Sequence, residues 1–256
     1  METGSDSLPD FSPDWAVFLD VDGTLLDITE RPFGTRVDPD LRRLLRALFE
    51  VTGGAMALIS GRSVADVDRL FASSRFCVAG QHGAERRDAA GRLHRHQLSD
   101  GRLRKAGDQL RRMVAEHPGL VLEEKSMSLA LHYRLAPDLG AQVRDVMRGL
   151  VEDLGDEFEM QAGKMVFEVK PGGRDKGTAI GEFMEEKPFR GRLPVFIGDD
   201  LTDEFGFEIV NRIGGYSVKV GEGMSAARLR LADARAVRAW LGKIVGQWRF
   251  PGGASS

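Results

Sequence analysis

At 256 residues the chain has room for one large domain or two small ones, and a hydrophobic share of 42% suffices to build a core. A formal net charge of −3, with no basic stripe carrying interleaved aromatics, argues against a nucleic-acid partner. The single cysteine, Cys77 in the apolar run Phe76–Ala79, excludes an internal disulfide and points to a reducing compartment. No stretch reaches the length of a membrane span, and the N-terminal residues lack the basic-then-apolar pattern of an export signal. The expectation is a cytoplasmic protein with no membrane partner, acting as a monomer.

Taken in order, residues up to about Asp14 read as a mobile polar tail. The apolar run Ala16–Leu19 then reads as a strand buried on both faces, ending in Asp20, Asp22, Gly23 and Thr24. In extended backbone Asp20 and Asp22 point to the same side, and Gly23 permits a sharp turn after them. An irregular segment, Leu25–Arg36, leads to a helix capped by Asp38 with Pro39 in its first turn, and Leu41, Leu44, Leu45 and Leu48 share its face. Ala55–Ile59 is a second strand, ending at Ser60-Gly61-Arg62, and Ser63 with Asp66 caps the next helix. Strand–helix–strand–helix with right-handed crossovers is the start of a doubly wound parallel sheet.

After Gln81-His82-Gly83 the pattern changes to alternating segments at 84–87, 92–95, 120–125 and 128–134, with helical stretches at about 98–116 and 138–154. Within 128–134, Leu129, Leu131 and Tyr133 share one face, while Ser128, Ala130, His132 and Arg134 share an exposed one. Strands at 158–161 and 165–170 complete a small α+β unit. Beyond Pro171-Gly172-Gly173 the parallel pattern resumes. A helix capped by Asp175 begins at Lys176, a strand at 194–198 ends in Asp199-Asp200, and a helix starts near Thr202. A further strand follows at 216–220, with a last helix at 234–245. The expected fold is therefore α/β, a Rossmann-like core of residues 1–83 and 172–256 with an α+β insertion at 84–171.

Three strand ends carry polar groups: Asp20 with Asp22, Ser60, and Asp199 with Asp200 and Asp203. Clustered carboxylates with no histidine or cysteine suit a hard, oxygen-seeking cation, and magnesium fits better than zinc. Lys176 adds positive charge at a helix start, where anions are favoured. Together these describe a phosphate site, and one without the G-x-x-x-x-G-K-[ST] loop. Singly, Ser60 reads as a turn residue and Lys176 as a solvated lysine; their joint placement at element ends carries the weight.

The set DVDGT (20–24), Ser60, Lys176 and GDDLTDE (198–204), in that order, resembles the haloacid dehalogenase superfamily of aspartate-nucleophile phosphatases. The resemblance implies that the insertion is a mobile substrate-reading cap. Within it, Glu123-Glu124-Lys125 and SLALHYR (128–134), with Gln81–Glu85, Gly163-Lys164 and Glu168–Pro171, are similar to the trehalose-6-phosphate phosphatases. The resemblance implies that Asp20 attacks phosphorus to form an aspartyl-phosphate, and that Asp22 is the acid and base. It implies that Ser60 and Lys176 stabilise the transferring phosphoryl group, and that Asp20, the Asp22 carbonyl and Asp199 hold magnesium. Asp200 or Asp203 either ligates the ion or orients its waters. Gly61, Arg62, Gln81, His82, Gly83, Glu123, Lys125, Lys164 and Glu168 are the implied substrate contacts, with no chemical role for His82. Competing readings are a phosphatase of sucrose phosphate or another sugar phosphate, a phospho-receiver switch, and an inactive sugar-phosphate binder.

Overall fold

Strand β1 (Trp15–Asp20) is buried along its whole length and divides the core in two. Because successive side chains on a strand face opposite ways, Trp15, Val17 and Leu19 enter one cluster while Ala16 and Phe18 enter another. The computed structural model describes residues 8–27, 37–95, 101–125 and 127–247. The first cluster lies under α1 (Pro39–Val51), α2 (Val64–Phe71) and α7 (Ala234–Gln247). The second lies under α5 (Lys176–Met184) and α6 (Glu204–Arg212), with Phe18 stacked on Phe189 at 5.4 Å between ring centroids. Helices on both faces of a sheet are what doubly buried parallel strands require.

The strands β2 (Met56–Ile59), β3 (Cys77–Gly80), β4 (Glu85–Arg87), β5 (Leu93–Arg95), β10 (Leu193–Gly198), β11 (Tyr216–Val220) and β12 (Leu229–Leu231) join β1 in one eight-stranded sheet. Its order is β12-β11-β10-β1-β2-β3-β4-β5; it is parallel from β12 through β3, and β4 runs antiparallel to β3. From β1 the chain first builds β2 and β3 on one side and later β10 to β12 on the other. β1 therefore sits at the switch point, where open α/β sheets place ligands at the carboxyl ends of their strands.

The chain divides into two units, residues 1–94 with 175–256 and residues 95–174. This differs from the expected ends at 83/84 and 171/172. Segments 84–87 and 92–95, assigned to the insertion by their alternation, extend the large sheet as β4 and β5. Their charged residues find partners there: Arg87 pairs with Asp68 on α2, and Arg86 with Glu182 and Glu186 near α5. The expected tail is also shorter than read, because Leu8 and Phe11 pack against the core and Phe11 meets Trp15 edge-on at 5.7 Å. Its first seven residues, the stretch 28–36 of the irregular segment and positions 98–100 of the expected helix lie outside the described residues.

The second unit is a four-stranded antiparallel sheet of order β6-β7-β9-β8, formed by β6 (Val121–Glu124), β7 (Leu129–His132), β8 (Phe158–Gly163) and β9 (Val166–Pro171). Leu129, Leu131, Val169 and Phe158 turn one face to α3 (Arg102–Glu116) and α4 (Gly140–Leu154). The opposite face is polar, and across it Glu123, Ala130, Glu168 and Gln161 lie in one register row. Ser128 and Ala130 on that face are buried rather than exposed as expected. No helix among the described residues is long and apolar enough to cross a membrane.

Phe18 is fully buried and packs against Phe183 and Phe189. Phe18→Ala should destabilise the protein by about 3–5 kcal/mol, read as a lower midpoint in chemical denaturation. An unchanged midpoint would show that this half of the core repacks freely.

Candidate active site

Four strand and helix ends of the large unit meet at the carboxyl edge of its sheet. β1 delivers Asp20, and the turn after it is tight: the Gly23 amide donates to the Leu26 carbonyl at 2.7 Å. Gly23 has φ +92°, and a Cβ there would stand 2.1 Å from Asp199 Oδ2. Only glycine lets the β1 turn approach the Asp199 carboxylate this closely. Asp199 follows β10, whose last residue, Gly198, is under the same constraint, since a Cβ on it would meet Asp203 at 2.4 Å. Lys176 is the first residue of α5, behind a capping box of Asp175 and Thr178.

Lys176 is 3% exposed, and its Nζ donates to Asp20 Oδ1 and to Asp203 Oδ1, each at 2.7 Å. The other Asp203 oxygen accepts the backbone amides of Asp199 and Asp200, at 3.0 and 2.9 Å. Asp203 thus takes one side-chain donor on Oδ1 and two backbone donors on Oδ2. Asp200 is exposed and stays outside the cluster, so of these two aspartates it is Asp203 that converges. Asp20, Asp199 and Asp203 each offer an oxygen within 4.8 Å of the others. Burial raises Asp20 well above the ordinary carboxylate range, Lys176 opposes this, and the neighbouring carboxylates add to it. Burial, then Asp203, lifts Asp199 to about 6, again against Lys176. Lys176 is held charged above its usual value because Asp20 and Asp203 outweigh the cost of burying it.

A divalent cation fits this donor set. Asp20 Oδ2 is buried and has no hydrogen-bond partner among the described residues, an orphan that native proteins seldom tolerate without an ion or water. All the converging atoms are hard oxygens, as magnesium prefers.

The remaining sequence-predicted residues divide between the two units. Asp22 is gripped by Arg62, which donates through Nε at 2.7 Å and a terminal nitrogen at 2.6 Å. Arg62, expected to contact substrate, here holds the acid–base candidate. Ser60, at the end of β2, is buried beside them and its hydroxyl oxygen accepts the Arg62 amide at 3.1 Å. Gln81 and His82 both take left-handed backbone angles, φ 49° and 56°, and their amides donate to the Arg62 and Ser60 carbonyls. Such conformations carry strain and collect at functional sites. A Cβ on Gly61 would lie 2.8 Å from the His82 ring, and one on Gly83 would lie 2.5 Å from the Asp175 carbonyl. These glycines close the loop that holds the Ser60 turn and α5 together.

In the second unit, Lys125 donates to Glu168 at 2.9 Å, joined on the same oxygen by the Ser128 hydroxyl at 2.6 Å. Glu123 pairs with His132 at 3.1 Å. Burial works against the charge on Glu123, but His132 and Lys125 prevail and hold it below the ordinary carboxylate range. Lys164 stands apart from this group, exposed in the turn between β8 and β9.

Two further contacts to Asp199 in the large unit come from Thr24, named in the motif without a role, and from Lys219, which the sequence reading missed. Thr24 donates to Asp199 Oδ1 at 3.2 Å, and the buried Lys219 donates to the Asp199 carbonyl. Lys219 had a signal: it is a lone lysine inside the apolar strand Tyr216–Val220.

A family model described as trehalose-phosphatase matches residues 18–234. The chain belongs to the trehalose-phosphatase family. It is 46% identical over 239 residues to the trehalose-6-phosphate phosphatase of Escherichia coli (strain K12), covering 92% of this chain and 88% of that one. The C-terminal domain of the C. albicans trehalose-6-phosphate phosphatase superposes with a TM-score of 0.78 at 25% identity, covering 91% of this chain and 92% of that one. A haloacid dehalogenase-like hydrolase from B. subtilis shares the fold, with a TM-score of 0.62 at 16% identity, covering 89% of this chain and 99% of that one. The Rossmann-like haloacid dehalogenase core is therefore the fold of the large unit, and family membership makes the chain a phosphomonoester hydrolase rather than a receiver switch.

The raised Asp199 gives a pH signature. A carboxyl raised in the folded state adds stability in full below its unfolded value near 4, and that contribution is lost as pH rises through about 6. In chelator, the melting temperature of Asp199→Asn relative to the parent should therefore climb between pH 4 and 7. A constant difference would mean that folding does not perturb Asp199.

Proposed function

We propose that this chain hydrolyses trehalose 6-phosphate to trehalose and inorganic phosphate, through an aspartyl-phosphate on Asp20 and with magnesium bound. The observation that carries the chemistry is the buried Lys176 shared by Asp20 and Asp203, with Asp199 alongside. The substrate rests on the name of the E. coli relative at 46% identity and on the polar sheet face of the second unit. Asp20, the Asp22 carbonyl and Asp199 would hold the cation, with Asp203 bracing the Asp199 loop. When bound, magnesium supplies positive charge against the phosphate dianion that a carboxylate nucleophile would otherwise repel.

An Asp20 oxygen forms a bond to phosphorus as the bond from phosphorus to the sugar oxygen breaks, which splits one difficult displacement into two. Burial raises Asp20 well above the ordinary carboxylate range, which works against its ionised, nucleophilic form; the Lys176 ammonium opposes that rise and neutralises charge on the transferring group. The Ser60 hydroxyl would donate to a phosphoryl oxygen. Asp22 gives a proton to the departing sugar oxygen, then takes one from the water that attacks the aspartyl-phosphate. For this Arg62 must yield at least one of its two contacts with Asp22. A positioned acid–base group of this kind contributes about 10²–10⁴-fold.

Glu123, Lys125 and Glu168 supply acceptors and a donor on one face, suited to the many hydroxyls of a disaccharide. A site built to pair hydroxyls rejects ligands that lack them, because its own polar groups then stay unpaired.

Phosphate release from trehalose 6-phosphate should require magnesium and should fall by about 10⁴-fold or more in Asp20→Asn, the scale seen when a nucleophile is removed. Substantial turnover by Asp20→Asn would overturn the covalent route. Equal kcat/KM on sucrose 6-phosphate or glucose 6-phosphate would overturn the substrate assignment alone.

A further inference from the structure

Strand β7 and the residue before it hold two acidic side chains of the polar face, Glu123 and Glu168. Ser128, just before the strand, and Ala130 and His132 within it alternate onto that face, and Ala130 is in register with Glu123 on β6 and with Glu168 on β9. Ser128, one step to one side of Ala130, donates to Glu168 at 2.6 Å. His132, one step to the other side, meets Glu123 at 3.1 Å through Nε2. Glu123 and Glu168 thus lie on either side of Ala130, each tied by one side chain on or beside β7.

The two ties differ in kind. Glu168 also receives the Lys125 ammonium on the same oxygen, so its direction is set twice. For Glu123 the one side-chain bond runs from His132 Nε2 to Oε2, and Oε1 has no side-chain donor among the described residues. A carboxylate on a flexible side chain, tied at one oxygen, presents the other in a defined direction. Remove the tie and the group samples several rotamers, and ordering it again costs binding free energy.

We propose that His132 is a positioning residue for substrate selection: its Nε2–H fixes the Glu123 carboxylate so that Oε1 accepts from a hydroxyl of the sugar. The inference rests on the reading that the polar face of the second unit binds the sugar. It assigns His132 no contact with the phosphate and no part in proton transfer, so its effect belongs in KM and not in kcat.

The test is steady-state kinetics on trehalose 6-phosphate with His132→Leu, His132→Gln, Glu123→Gln and the double variant His132→Leu/Glu123→Gln. A glutamine amide reaches about as far as Nε2 and keeps a donor. His132→Leu should raise KM about tenfold, the scale of a hydrogen bond to a charged group, with kcat within about twofold. His132→Gln should return most of the loss. In the Glu123→Gln background, His132→Leu should add little, because a residue that acts through another is not additive with it. An equal KM increase in both backgrounds, a fall in kcat without a change in KM, or no rescue by glutamine would overturn the positioning role. A KM unmoved by Glu123→Gln would instead overturn the sugar-binding reading beneath it.

Discussion

The Lys176 ammonium is the interaction on which the arrangement of the large unit depends. It is buried, and so are the carboxylates of Asp20 and Asp203 that it bridges. Burying an isolated charge is prohibitive, and a buried pair is retained only when its hydrogen bonds are satisfied. Three elements remote in sequence meet that condition together: β1 brings Asp20, α5 brings Lys176, and the turn before α6 brings Asp203. Two negative charges share one lysine, and Asp199 adds a third carboxylate nearby. That excess of negative charge is what a cation relieves, and it explains why burial and neighbouring carboxylates push Asp20 and Asp199 upward in the protein alone.

Glycines and buried cations shape the same region from the backbone side. Gly23 and Gly198 leave no room for a side chain where the β1 and β10 ends converge, so the carboxylates approach closely. Lys219 secures the main chain of Asp199, as Asp203 does through two amides. The second unit repeats the principle with different parts. There a sheet row sets two acidic side chains on either side of a small residue, and a side chain on or beside the central strand ties each one.

Much of this was legible in the sequence because it is local. An uninterrupted apolar run ending in Asp-x-Asp-Gly identifies a buried strand and its exit, and the Asp38, Ser63 and Asp175 caps lie where their side chains accept backbone amides. The alternation of 128–134 correctly separated an apolar face from a polar one. What stayed hidden depends on distant partners. Alternation shows that a strand has two unlike faces and not which sheet it joins, so segments 84–87 and 92–95 read as insertion although they extend the large sheet. Their placement follows from ion pairs with Asp68, Glu182 and Glu186, which no local pattern records. The pairing of Arg62 with Asp22 stays hidden for the same reason: nothing in its neighbours points back to Asp22.

The central claim is that remote carboxylates converge to hold one divalent cation beside a nucleophilic aspartate. Its most direct test is anomalous diffraction from crystals of the intact protein soaked in manganese. One strong peak per chain within about 2.5 Å of carboxylate oxygens of both Asp20 and Asp199 is the expected result. A peak placed elsewhere, with the Lys176–Asp20–Asp203 bridge intact and no ion against Asp20, would contradict it.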